Sequence, residues 1–403
     1  MKIIGIALFL FAIFPSLNFT NECEKYPTIY VSIVSHNEAP TSFDDENYFW
    51  RYREEVLKLS NMLYEEGVKF NFQSDWDFLL AEIKYDKGNS STNGKNLLRY
   101  LKEDLGFEID PHSHEKGGYN YADVAYLIHS LGVEPSNIAG GLVAYPPEES
   151  KIEYFRKTLN GLKFNYSWKA EILWGGSTSG HLNEESLWIS GIWRPKDNEN
   201  FLTHDENFIP HIGGYQPTWD GLHRLLQKQQ NGELEENKIY TQSIVITQGF
   251  INEENFIENF RQEIRNLSEY EDKGLIKWVG LGEVINIWYR EYNAQPNIYP
   301  YVYMEMEIKK PAENFLYIFN REIMKIEKTI IIGYINVEAE VICDIDIDEV
   351  YFYLNGILME KDSTPPFEWN WIKPSLGKYI LKVVAKAGAL SKEKEIETIA
   401  VII

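Results

Sequence analysis

Two cysteines in 403 residues, Cys23 and Cys343, are too few for a disulfide-stapled scaffold, and neither sits in a pattern that marks a catalytic thiol. They can bridge the two ends of the chain or both stay reduced, and the sequence leaves that choice open. Positive charge is also scarce: 39 Lys and Arg face 61 Asp and Glu, for a formal net charge of -22. A surface this acidic repels nucleic acid and anionic lipid. Long apolar runs are missing after the first residues. There, Lys2 precedes the run Ile3 to Phe14, followed by Pro15 and Ser16. The run is too short to span a bilayer comfortably and has the layout of a cleaved secretory signal. Residues 1–20 are therefore read as a signal peptide, and the mature protein as secreted or cell-surface, with no stable membrane span. Thr20-Asn21-Glu22 before Cys23 lacks the small residues of a lipoprotein site.

Aromatic residues are abundant, with 11 Trp, 26 Tyr and 21 Phe, and an acidic, aromatic-rich cleft suits neutral or cationic ligands such as sugars. The length asks for two domains. From Ile29 to Leu131 the pattern alternates. Ile29 to Val34, Val68 to Phe72 and the run into His112 are β-rich, and each is followed by a stretch with helical spacing, such as Phe49, Tyr52, Val56, Leu59 and Leu63 before Gly67. The alternation continues less cleanly to Ser243 to Thr247, Glu253 to Leu267 and Leu275 to Val279. Alternating strands and helices predict a parallel sheet or (β/α) barrel, with functional groups at the carboxyl ends of the strands. Beyond Pro300 the chain turns to short alternating strands, including Val350 to Leu354 and the hairpin turn Asn355-Gly356, the signature of an all-β sandwich. The expected domains are 21–298 and 299–403.

The chemistry gathers at predicted strand ends. Phe107 to Glu115 runs a short strand into Asp110, His112 and His114; the i, i+2 spacing puts both imidazoles on one strand face, a natural start for a metal site. His36 and Glu38 repeat that spacing at the end of the first strand. Together, His36, Glu38, His112 and His114 are the candidate ligands of a divalent metal. Imidazole and carboxylate donors suit zinc, which polarises a carbonyl or activates a water. Asp110 and Asp75 are the candidate general bases, although an aspartate after a strand also serves as a helix cap. His181, His211 and Trp193, in Gly- and Trp-rich segments near the expected mouth, are candidate substrate contacts. Trp174, Trp188 and Trp219 are better explained by packing. His129 and His223 lie inside helical patterns and His204 reads as surface. The loop Thr41-Ser42-Phe43-Asp44-Asp45 imitates a metal-binding signature and is set aside.

Ser35-His36-Asn37-Glu38-Ala39-Pro40 and Asp110-Pro111-His112-Ser113-His114, at the ends of the first and third strands, resemble two motifs of the glycoside hydrolase/deacetylase superfamily. The likeness covers roughly residues 28 to 290. It implies the irregular (β/α) barrel of polysaccharide deacetylases and a metal-dependent hydrolase acting on a polysaccharide or oligosaccharide. In that alignment Asn37 stands at the family's catalytic aspartate and Glu38 at its metal-binding aspartate. Lys116 replaces the second histidine, and Gln248 lies near the place of the catalytic histidine. His36-Asn37-Glu38 is also similar to a His-x-Asp metal motif of a related glycosidase branch, so a metal-dependent glycoside hydrolase is an alternative. A non-catalytic glycan-binding or surface protein with a degenerate barrel is another, and a metal phosphoesterase or amidohydrolase a third. Val350 to Gly356 followed by Asp362 to Trp369 resembles bacterial Ig-like domains, which act as spacers or weak binders.

Overall fold

The computed structural model describes residues 26–38, 43–114, 116–143, 151–176, 188–198, 200–216, 218–251, 253–387 and 390–403. The expectations for residues 1–20, Cys23 and His181 lie outside these segments.

Strand β1, Ile29–Asn37, is buried along its whole length, as a strand covered on both faces must be. Helix α1, Glu46–Glu65, starts where the Asp45 side chain accepts the backbone N–H groups of Asn47 and Tyr48, and it turns Phe49, Tyr52, Val56, Leu59 and Leu63 inward. Gly67, at φ +74°, ends it. Asp45 is thus a helix cap. There follow β2 (Phe70–Ser74), α2 (Trp76–Tyr85), β3 (Glu108–Pro111), α3 (Tyr121–Ser130), β4 (Ile138–Val143), β5 (Ile172–Gly176), β6 (His211–Ile212), β7 (Tyr215–Gln216), α4 (Asp220–Gln230), β8 (Tyr240–Thr247), α5 (Phe256–Asn266), β9 (Ile276–Trp278) and α6 (Leu281–Glu291).

The strands form two parallel-rich arcs. One runs β7-β8-β1-β2-β3 with β9 beside the start of β1, and the other runs β4-β5-β6 and on to the two-residue strand Ile192–Trp193. In register, His36 of β1 pairs with Gln73 of β2, and Gln73 pairs with Asp110 of β3. The arcs meet at one parallel bridge, His112 to Gly140, and again where the chain passes from β6 through Gly213 and Gly214 into β7. Among the described residues no continuous ladder closes them into the expected barrel. The physical reason is local. Gly141 takes φ +67°, and the pairing of β4 with β5 shifts between Ala139 and Leu142, so β4 turns away from β3 after a single bridge.

The C-terminal part is a two-sheet β structure, a three-stranded sheet of Met304–Lys310, Ile335–Cys343 and Phe367–Trp371 against a seven-stranded one with the long pair Ser375–Ala387 and Leu390–Ile402 in its interior. Tyr299–Pro300 still pairs with Ile189–Ser190, and the Tyr301 N–H donates to the Trp188 carbonyl at 3.0 Å. These contacts run across the expected boundary at 298–299. No helix of the described residues is long and apolar enough to cross a membrane.

Candidate metal centre

Period-two geometry at the end of β1 separates three consecutive residues. His36 and Glu38 face one side, and Asn37 faces α1. There Asn37 Oδ1 accepts the Tyr52 hydroxyl, and its amide donates to the Gln73 carbonyl at 2.6 Å and to Ser35 Oγ at 3.2 Å. Asn37 is thereby a structural tie between strand and helix. On the other side, strand β3 ends at Pro111 and His112 bridges to Gly140, so His114 lies beyond the strand. The two imidazoles converge all the same: their Nε2 atoms are 3.2 Å apart. Glu38 Oε2 lies 3.0 Å from His112 Nε2 and 2.7 Å from His114 Nε2, and Glu38 Oε1 is 3.8 Å from His36 Nδ1. The His36 and His112 rings stand 4.4 Å apart. One donor atom each from His36, Glu38 and His112 fits within a span of 4.8 Å. His114 flanks this trio.

Burial works to raise the Glu38 carboxyl, but the charge and hydrogen bonds of His112 and His114 outweigh it and hold the carboxyl far below its usual range. His36 and His112 are buried, whereas Glu38 and His114 keep 30% and 15% of their side chains accessible, so the cluster opens to solvent on the Glu38 and His114 side. Nitrogen and oxygen lone pairs this close repel one another unless a proton or a cation lies among them. Two imidazoles and one carboxylate at the carboxyl ends of β1 and β3, with β2 between them, are a borderline-soft donor set that fits zinc.

Beneath the cluster lies a second polar layer that sequence reasoning missed. The Asn71 amide donates to Glu108 Oε2 and Asp110 Oδ2, both at 2.8 Å, and the Gln73 amide donates to the same Asp110 oxygen at 3.2 Å. Ser136 Oγ donates to Asp110 Oδ1 at 2.6 Å. Burial, with the Glu108 charge beside it, pushes the Asp110 carboxyl up to about 7 against these hydrogen bonds. The i, i+2 spacing puts Asn71 with Gln73 on one face of β2 and Glu108 with Asp110 on one face of β3, but only the register of β2 on β3 brings the two pairs together.

Several expected site residues lie elsewhere. Asp75 is the N-cap of α2, its Oδ1 accepting the Trp76 N–H. Asp110 is fully buried with Gln73 between it and His112, so it does not face the cluster as a base would. Trp193 and His211 are core residues: the Trp193 indole donates to the Phe201 carbonyl at 2.7 Å, His211 Nε2 meets the Gly175 carbonyl at 3.0 Å, and the two rings pack 4.6 Å apart. Neither is open to a substrate. Trp174 is buried edge-on to His36 at 5.2 Å, walling the cluster. Gln248 donates to the Tyr48 hydroxyl at 3.0 Å. His129 and His223 are exposed on their helices. His204 is not bare surface, because its Nδ1 accepts the Arg194 N–H and its ring lies beside Glu206. A cavity of about 780 Å³ opens at the opposite ends of the strands, lined by residues such as Glu108, Ser136, Arg194 and Tyr289; the imidazole cluster is not part of it.

Residues 328–383 match the family model of the bacterial Ig domain. No curated protein matches the chain. Among solved structures, the fibronectin(III)-like modules of Clostridium thermocellum CbhA are similar at 20% identity, covering 25% of this chain and 98% of that one, with a TM-score of 0.19. A probable polysaccharide deacetylase from Pseudomonas aeruginosa PAO1 is similar at 10% identity over 66% of this chain and 93% of that one, with a TM-score of 0.42. The 4-alpha-glucanotransferase of Thermococcus litoralis is similar at 14% identity over 67% of this chain, with a TM-score of 0.41, and the likeness spans 41% of its length. Likenesses this weak do not bear on activity.

Proposed function

We propose that this chain is an exported, metal-dependent carbohydrate hydrolase that removes acetyl groups from a polysaccharide or oligosaccharide. The observation that carries the reading is the convergence of His36, Glu38 and His112 within 4.8 Å at the carboxyl ends of parallel strands. In this reading those three residues hold a zinc ion. Zinc supplies Lewis-acid polarisation of an acyl carbonyl and a water made more acidic. Glu38 offsets the ion's charge, while buried His36 and His112 keep solvent from the inner side. His114, with Nε2 2.7 Å from Glu38 and partly open, is the imidazole best placed to take a proton from an attacking water. That role passes to it because Asp75 is committed to a helix cap and Asp110 lies beneath Gln73. The proposed barrel consists of the two arcs, joined at His112 and Gly140 and at Gly213 to Gly214.

The test is metal analysis of the purified protein together with acetate release from acetylated chito- and xylo-oligosaccharides. One zinc per chain and acetate release, both lost in His112→Ala, are expected. Acetate release that survives His112→Ala, or a protein that takes up no divalent metal, overturns the reading. New reducing ends without acetate would point instead to the glycosidic bond.

One observation favours a second reading, a non-catalytic glycan binder: both aspartates chosen from the sequence as bases serve structural roles. Such a protein would bind the same oligosaccharides without metal and release no product.

A further inference from the structure

We infer that Gln73 is a positioning residue that fixes the tautomer of His112, putting the ring proton on Nδ1 and leaving the Nε2 lone pair for the ion. The inference rests on the metal reading of the cluster. The Leu281 backbone N–H can only donate, and it meets Asn71 Oδ1 at 3.0 Å. Asn71 must therefore turn its NH₂ toward the carboxylates, where it lies 2.8 Å from both Glu108 and Asp110. Asp110 Oδ2, facing the Asn71 NH₂, is then an acceptor. Gln73 places one end of its amide 3.2 Å from this oxygen and the other 3.4 Å from His112 Nδ1. Reversing the amide would set two acceptors face to face at Asp110. The NH₂ therefore faces Asp110, Gln73 Oε1 faces His112, and Nδ1 must carry a hydrogen to pair with it. The opposite nitrogen, Nε2, is 3.0 Å from Glu38 Oε2, and without an ion its lone pair is tolerated there because the His114 Nε2 hydrogen, 2.7 Å from the same oxygen and 3.2 Å from His112 Nε2, lies between them.

The backbone of β4 keeps the relay in place. A Cβ on Gly140 would overlap the Gln73 amide, and one on Gly141 would overlap the His112 ring. Glycine is needed at both positions so that β4 can lie against the two side chains. Outer partners of this kind orient a metal-binding imidazole, and their loss typically weakens metal affinity about 10- to 100-fold.

The experiment uses the full chain with ¹⁵N-labelled histidine. In alkaline, zinc-free solution the His112 ring of the wild type should show the Nδ1–H form, and zinc should shift Nε2 while Nδ1 keeps its hydrogen. In Gln73→Leu the Nδ1–H preference should disappear and zinc affinity should fall about 10- to 100-fold. A wild-type ring in the Nε2–H form overturns the inference, and so does a folded Gln73→Leu protein with unchanged tautomer and zinc affinity. The wild-type spectrum decides even where Gln73→Leu does not fold. A wild type that takes up no zinc but shows Nδ1–H sinks the metal reading and leaves the tautomer assignment standing.

Discussion

Glu82 is fully buried on α2, and its Oε1 accepts the Leu98 backbone N–H at 2.9 Å. Burial pushes its carboxyl up to about 8; the Leu98 N–H works against that rise, and nearby Asp86 adds to it. A carboxyl whose folded pKa exceeds its unfolded value holds its proton more tightly in the native state. The stability it contributes is fully present below about pH 4.5 and is lost as pH rises to about 8. Glu82→Gln should therefore flatten the fall of thermal stability across that window, and its advantage over the wild type should be largest at the alkaline end. Calorimetric melts at both ends of the window check this. Asp75 gives a second prediction at this scale. If it caps α2, Asp75→Ala should lower unfolding free energy by about 1 kcal/mol in a denaturant titration, with zinc uptake unchanged. A loss of zinc at unchanged stability would return it to the metal site. His36, Glu38 and His112 were legible in the sequence because strand alternation aims residues two apart in one direction. Gln73, Asn71 and Ser136 were not, since their roles exist only across strand pairs. The same holds for the buried Arg53–Asp86 pair, 2.9 Å long, which joins residues from two helical segments.

Elements behave alike where their patterns are long. The helices α1, α4 and α5 follow from 3.6-residue spacing of apolar side chains and from caps such as Asp45, and β1 and β8 follow from their concentration of β-branched residues. Two-residue strands such as Ile192–Trp193 and His211–Ile212 have no pattern to read, because tertiary contacts alone make them strands. That is why Trp193 and His211 looked like cleft residues and turned out to be core. Strand β4 carries a prediction of its own. Gly141 has a positive φ and no room for a Cβ against His112, while Gly67 has a positive φ in open space. Gly67→Ala should cost only the conformational strain, about 1–2 kcal/mol. Gly141→Ala should cost more than that and, on the proposed function, should also weaken zinc binding, because the ring it displaces is a proposed ligand. Equal losses of stability in the two variants, with zinc affinity intact, would show that β4 does not hold His112.

At the scale of the molecule, the shift from alternating strands and helices to short strands showed that two units exist, but not how they join. One continuous apolar core runs through both, from Ile29 and Trp288 to Val350 and Trp371. The junction is built by the segment at residues 299–302. Tyr301 is buried against Trp188 with ring centres 5.7 Å apart, and its hydroxyl donates to Gln242 Oε1 at 2.9 Å inside the first unit. Burial drives the Tyr301 phenol far above its ordinary range, so it stays a neutral donor there. Next to it the Tyr303 N–H donates to Asp344 Oδ2 at 2.9 Å, and Arg224 reaches the Asp344 carbonyl at 3.0 Å, tying the sandwich to α4. Tyr301 thus serves the first unit although it lies beyond the expected boundary. Tyr301→Phe should cost about 1 kcal/mol for the lost hydrogen bond, and Tyr301→Ala about 3–5 kcal/mol for the cavity as well. Because the affected contacts belong to the first unit, the loss should appear in the transition that, on the proposed function, also releases zinc. A Tyr301→Ala protein whose zinc-releasing transition is unmoved, while a separate sandwich transition shifts, would place the residue in the second unit and return the boundary to 298–299.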